Sequence, residues 1–151
     1  MRLDYRKAQK KDAELLINIY NAAFYDDYIK YGECPAYGRS IEAMENSIEM
    51  YPKLIVNCEN VPVGVISVER KGDGIYYLGV LAVIPEYQGK GIGTQAFRHI
   101  LSVYPDWKKI TLITPADKKE NIKFYTGKCG FHIVGTEMDG NVKVVTFLME
   151  R

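Results

Sequence analysis

The sequence has little of what would mark a membrane-spanning, disulfide-stapled, metal-binding or nucleic-acid-binding protein. A spanning helix needs about 20 apolar residues, and the longest nearly uncharged stretch, residues 75–85, is about half of that. The opening Met-Arg-Leu-Asp-Tyr-Arg-Lys has no apolar segment behind it, so no cleaved leader is expected and a cytoplasmic location is. Three cysteines, Cys34, Cys58 and Cys129, stand at wide, unrelated spacings without a Cys-x-x-Cys pair, which argues against a disulfide framework and against zinc. The two histidines, His99 and His132, have no second ligand near them in sequence, so no metal is expected. Charge is nearly balanced, at 20 Lys plus Arg against 19 Asp plus Glu, which leaves nucleic acid without an electrostatic foothold. A chain of 151 residues with no linker or repeat reads as a single domain over residues 1–151.

The distribution of charge carries more than its sum. Residues 11–50 hold eight acidic side chains against three basic ones, and the remainder is correspondingly basic. Solvated helix faces account for this, and so does a cationic substrate held by the first part with an anionic cofactor held by the second. The first part is also rich in tyrosine. Phe24, Tyr25, Tyr28, Tyr31 and Tyr37 interleave with Asp26, Asp27 and Glu33, a mix able to cradle a cation through ring faces and carboxylates.

Periodicity orders the chain. Leu3, Tyr5 and Lys7 alternate as a short strand. Asp12 is placed to cap a helix with the stripe Leu15, Leu16, Ile19, Tyr20, Ala23 and Phe24, and a turn-rich stretch is expected over residues 25–39. Ser40 caps a second helix reaching Met50. Residues 54–56 and 63–68 are β-rich and joined around Glu59-Asn60, with a further turn at Gly72-Asp73-Gly74. Residues 75–84 are apolar at odd and even positions alike, as in a central strand covered on both faces, and Pro85 ends it. Ile92, Ala96, Phe97, Ile100, Leu101 and Tyr104 make an amphipathic helix. A strand over 110–114, a short helix over 119–127 and closing strands over 131–134 and 142–149 complete the order β-αα-βββ-α-β-α-ββ. Hairpins together with helical crossovers imply an α/β (α+β) sandwich with a mixed, mostly antiparallel sheet flanked by helices.

Between that central strand and the amphipathic helix lies Gln88-Gly89-Lys90-Gly91-Ile92-Gly93-Thr94. The first N–H groups of a helix lack intrahelical partners and sit at the positive end of its dipole. Glycines at alternate positions let the chain turn sharply and let phosphate oxygens approach without a Cβ in the way, and Lys90 adds charge at the rim. Such a loop suits a pyrophosphate. The dinucleotide fingerprint fails because Thr94 stands where its third glycine belongs, and no Gly-Lys-Ser/Thr of the Walker kind is present.

Val80-Leu81-Ala82-Val83-Ile84-Pro85-Glu86-Tyr87-Gln88-Gly89-Lys90-Gly91-Ile92-Gly93 resembles the signature of the GCN5-related N-acetyltransferase (GNAT) superfamily, with Gln88, Gly91 and Gly93 in the diagnostic places. Asn121-Ile122-Lys123-Phe124-Tyr125 and then Cys129-Gly130-Phe131 resemble the family's second signature, and the element order agrees along nearly the whole chain. The resemblance implies an acyltransferase that uses acetyl-CoA and acetylates a primary amine by direct attack on the thioester. It implies that the amides of Gly89, Lys90, Gly91, Ile92, Gly93 and Thr94, with Gln88, hold the pyrophosphate. Leu81, Ala82 and Val83 would border the pantetheine arm as if it were another strand, the Leu81 amide donating to the thioester oxygen. Tyr125 would be the general acid, with Asn121 and Phe124 as coenzyme contacts. The acceptor expected is a small amine, polyamine or aminoglycoside-like, and less so a protein amine. Homodimerisation is left open. The alternative is an acetyl-CoA-binding regulatory or sensor domain without turnover.

The chain departs from the family in three places. Lys118 stands seven residues before Tyr125, where many members have Asn. The interval from Tyr125 to Gly130 is one residue longer than usual, which predicts a bulge over residues 126–129. No carboxylate lies on the strand at 75–84, so a water relay is the expected base, with Glu69 and Glu86 as weaker candidates.

Overall fold

The computed structural model describes all residues, 1–151. Its strands are β1 (Leu3–Lys7), β2 (Lys53–Cys58), β3 (Val61–Gly72), β4 (Ile75–Val83), β5 (Lys109–Pro115), β6 (His132–Asp139) and β7 (Val142–Glu150). Its helices are α1 (Ala13–Tyr31), α2 (Ile41–Met50), α3 (Ile92–Val103) and α4 (Lys119–Lys123). The strands form one seven-stranded sheet in the order β1-β2-β3-β4-β5-β7-β6. Pairing is antiparallel for β1/β2, β2/β3, β5/β7 and β6/β7, and parallel for β4/β5. The element order expected from periodicity is the one observed. No helix is long and apolar enough to cross a membrane.

One compact unit comprises residues 1–68 and 80–96. Its core buries Leu16 and Tyr20 of α1, Met44 of α2, Ile55 of β2, Val65 of β3 and Ala82 of β4. The β2/β3 turn places both Glu59 (φ 50°) and Asn60 (φ 68°) in the left-handed region, as a twisted hairpin requires. Glu59 is an uncommon residue there. Its carboxylate accepts from the Arg2 N–H at 2.6 Å and its own N–H donates to the Arg2 carbonyl at 3.0 Å, which holds the turn to β1.

Two expectations fail around α1. Asp12 does not cap the helix with its side chain. Its carboxylate instead accepts the Gln9 N–H at 2.8 Å and both guanidinium nitrogens of Arg6, at 2.9 and 3.1 Å. These bonds, that to Arg6 foremost, hold the Asp12 carboxyl below the usual range. The helix also continues through Phe24 to Tyr31, because nothing interrupts it before Gly32, which ends it in the left-handed region (φ 72°). Ser40 does cap α2, its Oγ accepting the Ala43 N–H at 3.1 Å.

The other unit comprises residues 69–79 and 97–151. The β4/β5 ladder begins at Ile75↔Lys109 and closes at Tyr77↔Thr111, although both strands run on. Tyr76 anchors its end of β4 through a 2.6 Å hydrogen bond to Asp106 and a ring contact with Tyr104. As expected, β4 is central in the sheet. Its cover is uneven, however, since Tyr76, Leu78 and Ala82 are buried while Leu81 and Val83 are half-buried and Gly79 is exposed. Apolar composition at both parities reported central position rather than complete cover.

Two positions near the β2–β4 segment give stability tests. A Cβ built on Gly64 would lie 2.5 Å from the Ala82 carbonyl oxygen, so β3 can approach β4 only without a side chain there. Gly64→Ala is expected to cost about 2 kcal/mol and to lower Tm by roughly 4–8 °C in a melting experiment; an unchanged Tm would contradict this. Lys53 is 4% exposed, and burial first, with the Arg39 charge second, pulls its pKa from 10.5 down to about 8. Between those values the unfolded chain binds more protons, so this residue's contribution to stability climbs with pH. Lys53→Met is therefore expected to be more stable than the parent at neutral pH, by of order 2–3 kcal/mol. That margin should narrow as pH rises from about 8 to 10.5 in denaturant titrations, and a margin independent of pH would refute the assignment.

Candidate active site

The end of β4 and the start of α3 lie in one unit and fix the geometry of the loop between them. Pro85 stops the strand and opens a single tight turn over Pro85–Tyr87, closed by the Tyr87 N–H on Ile84 and the Gln88 N–H on Pro85. Gln88 Nε2 then reaches back to donate to the Val83 carbonyl at 2.8 Å, which ties the loop's leading edge to the strand. Gly89 (φ 76°) and Gly91 (φ 83°) are left-handed, and a Cβ built on either would meet nothing within 4 Å. The space in front of the loop is therefore open, and backbone conformation is what demands glycine. Gly93 differs from the expectation. It lies inside α3 without a left-handed φ, and so the sharp turn is made by two glycines rather than three.

The first intrahelical bond of α3 runs from the Gln95 N–H to the Gly91 carbonyl at 3.1 Å. Ile92, Gly93 and Thr94 are thus the first turn, whose N–H groups have no helical acceptor and point along the axis at the positive end of the dipole. Lys90 is exposed beside them. Ile92, Ala96, Phe97 and Ile100 are buried at helical spacing and fix the axis of α3. A strand-to-helix junction of this form fits a diphosphate.

Parity along β4 defines what the strand offers. The Ile84 N–H donates to the Val63 carbonyl on β3 at 2.9 Å, and the Ala82 carbonyl lies against Gly64 on the same neighbour. Main-chain groups alternate, so those of Leu81 and Val83 face the other edge. Gln88 satisfies the Val83 carbonyl there. The Leu81 N–H is a donor on that edge.

In the other unit, α4 runs directly into a π-helical turn, Phe124–Cys129. The N–H groups of Gly130 and Phe131 both donate to the Tyr125 carbonyl, and Gly130 (φ 95°) ends the turn. The wider turn absorbs one extra residue, which is the bulge expected from the Tyr125-to-Gly130 interval. Tyr125 is 8% exposed and packed by Phe124, Phe131 and Phe147, with ring centroids at 5.0, 5.9 and 5.7 Å. Burial foremost, and then the neighbouring Cys129, hold the phenol far above the ordinary tyrosine value. Cys129 is itself pushed up to about 12 by burial, against the opposing effect of Arg98. Tyr125 is accordingly protonated throughout the physiological range. It is also a weaker acid than an ordinary phenol, so complete transfer of its proton to a thiolate is more uphill than reference values for free groups suggest. Asn121 is held by its side-chain amide, which donates to Thr114 Oγ1 at 3.1 Å. Of the weaker base candidates, Glu69 pairs with Lys71 at 3.0 Å and Glu86 is exposed.

Of the five aromatics expected to cradle a cation, three gather at the C-terminal end of α1, while Phe24 packs on Tyr20 and Tyr31 lies under Lys30. Tyr28 stacks on Tyr37 with centroids 4.5 Å apart, and Tyr25 lies 6.1 Å from Tyr37; Tyr25 and Tyr28 are exposed. One buried polar group escaped the sequence reading. Lys53 shares a strand face with Ile55 under period-two alternation and so points toward the core, a signal present in the pattern but overridden by the usual exposure of lysine.

Comparison with known proteins agrees with this geometry. A relative from Bacillus subtilis (strain 168), the uncharacterized protein YrkN, is 47% identical over 57 residues. That alignment covers 38% of this chain, and the chain spans about a third (31%) of the length of YrkN. An acetyltransferase from Thermus thermophilus superposes with a TM-score of 0.81 at 16% identity, covering 100% of this chain and 98% of that one. The Salmonella typhimurium protein yncA, solved with its cofactor acetyl-CoA, superposes at 0.73 and 16% identity, covering 98% and 93%. These two structures share the fold. The family profile described as Acetyltransferase (GNAT) matches residues 14–131, most of the chain. With that match on top of the loop, the strand edge and the second signature, the chain belongs to the GNAT family of acetyltransferases.

Proposed function

We propose that residues 1–151 act as one N-acetyltransferase domain, moving the acetyl group of acetyl-CoA to the primary amine of a small acceptor. The observation that carries this reading is the open, left-handed Gly89/Gly91 turn set against the N-terminus of α3. The amides of residues 89–94 hold the diphosphate, with Gln88 and Lys90 at the rim. Leu81 and Val83, with Ala82 between them, offer a strand edge to the pantetheine amides. Asn121 and Phe124 are further coenzyme contacts.

Acetyl-CoA supplies an activated thioester. The amine nitrogen attacks the carbonyl carbon, and the Leu81 N–H stabilises the charge that develops on oxygen, a contribution of about 3 kcal/mol for one well-placed donor. The carbon–sulfur bond breaks, and the proton on Tyr125 steadies the departing sulfur. With its pKa raised by burial, Tyr125 acts chiefly as a hydrogen-bond donor, and any phenolate it forms is reprotonated at once. The ammonium form of the acceptor must lose a proton first. A strand without carboxylates leaves that task to ordered water. The stacked Tyr28/Tyr37 pair with Tyr25, in an acidic stretch, favours a cationic acceptor of the polyamine or aminoglycoside kind.

A strand without carboxylates, and Lys118 where many family members have Asn, favour a second reading, a regulatory domain that binds acetyl-CoA without turnover. A panel of amines scored by free-thiol release separates the two, since the sensor binds and releases nothing.

Two substitutions test the enzyme reading. Gly91→Ala forces a Cβ onto a left-handed residue at about 1–2 kcal/mol of strain. It is expected to weaken acetyl-CoA binding at least about tenfold by calorimetry; wild-type affinity would contradict the cradle. Tyr125→Phe is expected to lower kcat by about a hundredfold at neutral pH with KM for acetyl-CoA little changed. Full activity in steady-state assays would remove Tyr125 from the mechanism.

A further inference from the structure

Around Tyr20 the first unit gathers an unpartnered hydroxyl and two cations without a carboxylate. Tyr20 of α1 is fully buried, and its hydroxyl has no hydrogen-bond partner, the one buried side-chain polar atom in the protein in that position. Lys53, at the start of β2, places Nζ 5.8 Å from the Tyr20 ring centroid and 6.0 Å from that of Tyr51. Arg39, between α1 and α2, places its guanidinium carbon 5.4 Å from the Tyr20 centroid. Arg39 spends Nε on the Pro35 carbonyl (3.0 Å) and Nη1 on Ser47 Oγ (3.2 Å), which leaves Nη2 to give.

Neither cation has a carboxylate partner. The contacts of Lys53 are aromatic rings, and the nearest charge acting on it is the like charge of Arg39. Two buried or half-buried cations side by side are costly, and an unpaired buried hydroxyl adds to the cost. Lysine and arginine cannot accept a hydrogen bond, so neither can satisfy the phenol as a donor. What the cluster lacks is a negatively charged acceptor with several lone pairs.

We propose that Tyr20, Arg39 and Lys53 form a binding site for a small oxyanion group, a carboxylate or a phosphate. The guanidinium and ammonium neutralise its charge while the Tyr20 hydroxyl donates to a third lone pair. Arg39, in the segment joining α1 to α2, is the partly exposed member of the three. Val80 and Ala82 of β4 pack in the same core cluster as Tyr20, so the site adjoins the strand that carries Leu81. Two sources share the chemistry: a free anion, and an acidic arm on the acceptor amine, which would set an amino-acid-like acceptor in place of the polyamine or aminoglycoside kind. The second rests on the acetyltransferase reading; the first does not.

Melting curves in sodium acetate, sodium phosphate and sodium chloride at matched ionic strength and neutral pH test the site without requiring turnover. Acetate or phosphate is expected to raise Tm of the parent by about 3 °C over chloride, and Lys53→Met and Tyr20→Phe are each expected to abolish the increment. Identical Tm in all three salts, or an increment that survives in both variants, overturns the proposal. The read-out is the increment within each variant, so a shift in baseline stability does not disturb it. The source follows from thiol release with acetyl-CoA and the matched amines γ-aminobutyrate and n-butylamine. A KM about tenfold lower for the acid, lost in Lys53→Met, assigns the site to the acceptor. A salt-dependent Tm with equal KM values assigns it to a free anion, and a salt-dependent Tm with no thiol release from any amine retains the site while removing the enzyme reading.

Discussion

The proposed function depends on a few backbone N–H groups kept unhindered at one junction, where β4 ends and α3 begins. Those groups are useful because they are held still. Ile92, Ala96, Phe97 and Ile100 bury one side of α3 and fix its axis, and the Gln88 side chain fastens the loop to the Val83 carbonyl. Gly89 and Gly91 keep the turn left-handed without a side chain in front of it. A dipole on a loosely packed helix would present the same charge over a range of positions and bind a diphosphate weakly.

The same region explains why so much could be read from the chain. The strand, the breaker Pro85, the glycines and the amphipathic stripe each leave a local mark, and local marks survive in sequence. The extra residue before Gly130 was legible as well, because a spacing of one residue too many has to become a bulge, and here it becomes a π-helical turn. Less local features were not legible. Tyr25 to Tyr31 looked like loop because it is aromatic and polar, yet helix α1 continues there until Gly32 offers an exit. Asp12 has the composition of a cap, but Arg6, on a strand paired elsewhere, claims its carboxylate. Gly93 looked like part of the turn and is helical instead.

Two groups are held at a cost the rest of the fold must offset. Tyr125 is a phenol enclosed by aromatic rings, with a pKa driven up by burial, which keeps its proton in place and makes it a donor rather than a base. Lys53 is an ammonium among rings with only a like charge near it. Expensive polar groups in otherwise well-packed units mark places where stability has been exchanged for chemistry. In the proposed function the first serves the departure of a thiol, and in the proposed anion site the second serves recognition.

In the proposed function the junction captures the diphosphate of the acetyl donor. Calorimetric titration with 4′-phosphopantetheine and with pantetheine, which shares the arm but lacks the phosphate, tests it most directly, with coenzyme A as the full ligand. Loss of two charge-assisted hydrogen bonds to backbone amides corresponds to a weakening of about a hundredfold or more, and both phosphorylated ligands are expected to bind tighter than pantetheine by at least that factor. Equal affinities would mean that the strand edge alone holds the coenzyme and that the glycine turn is only a turn.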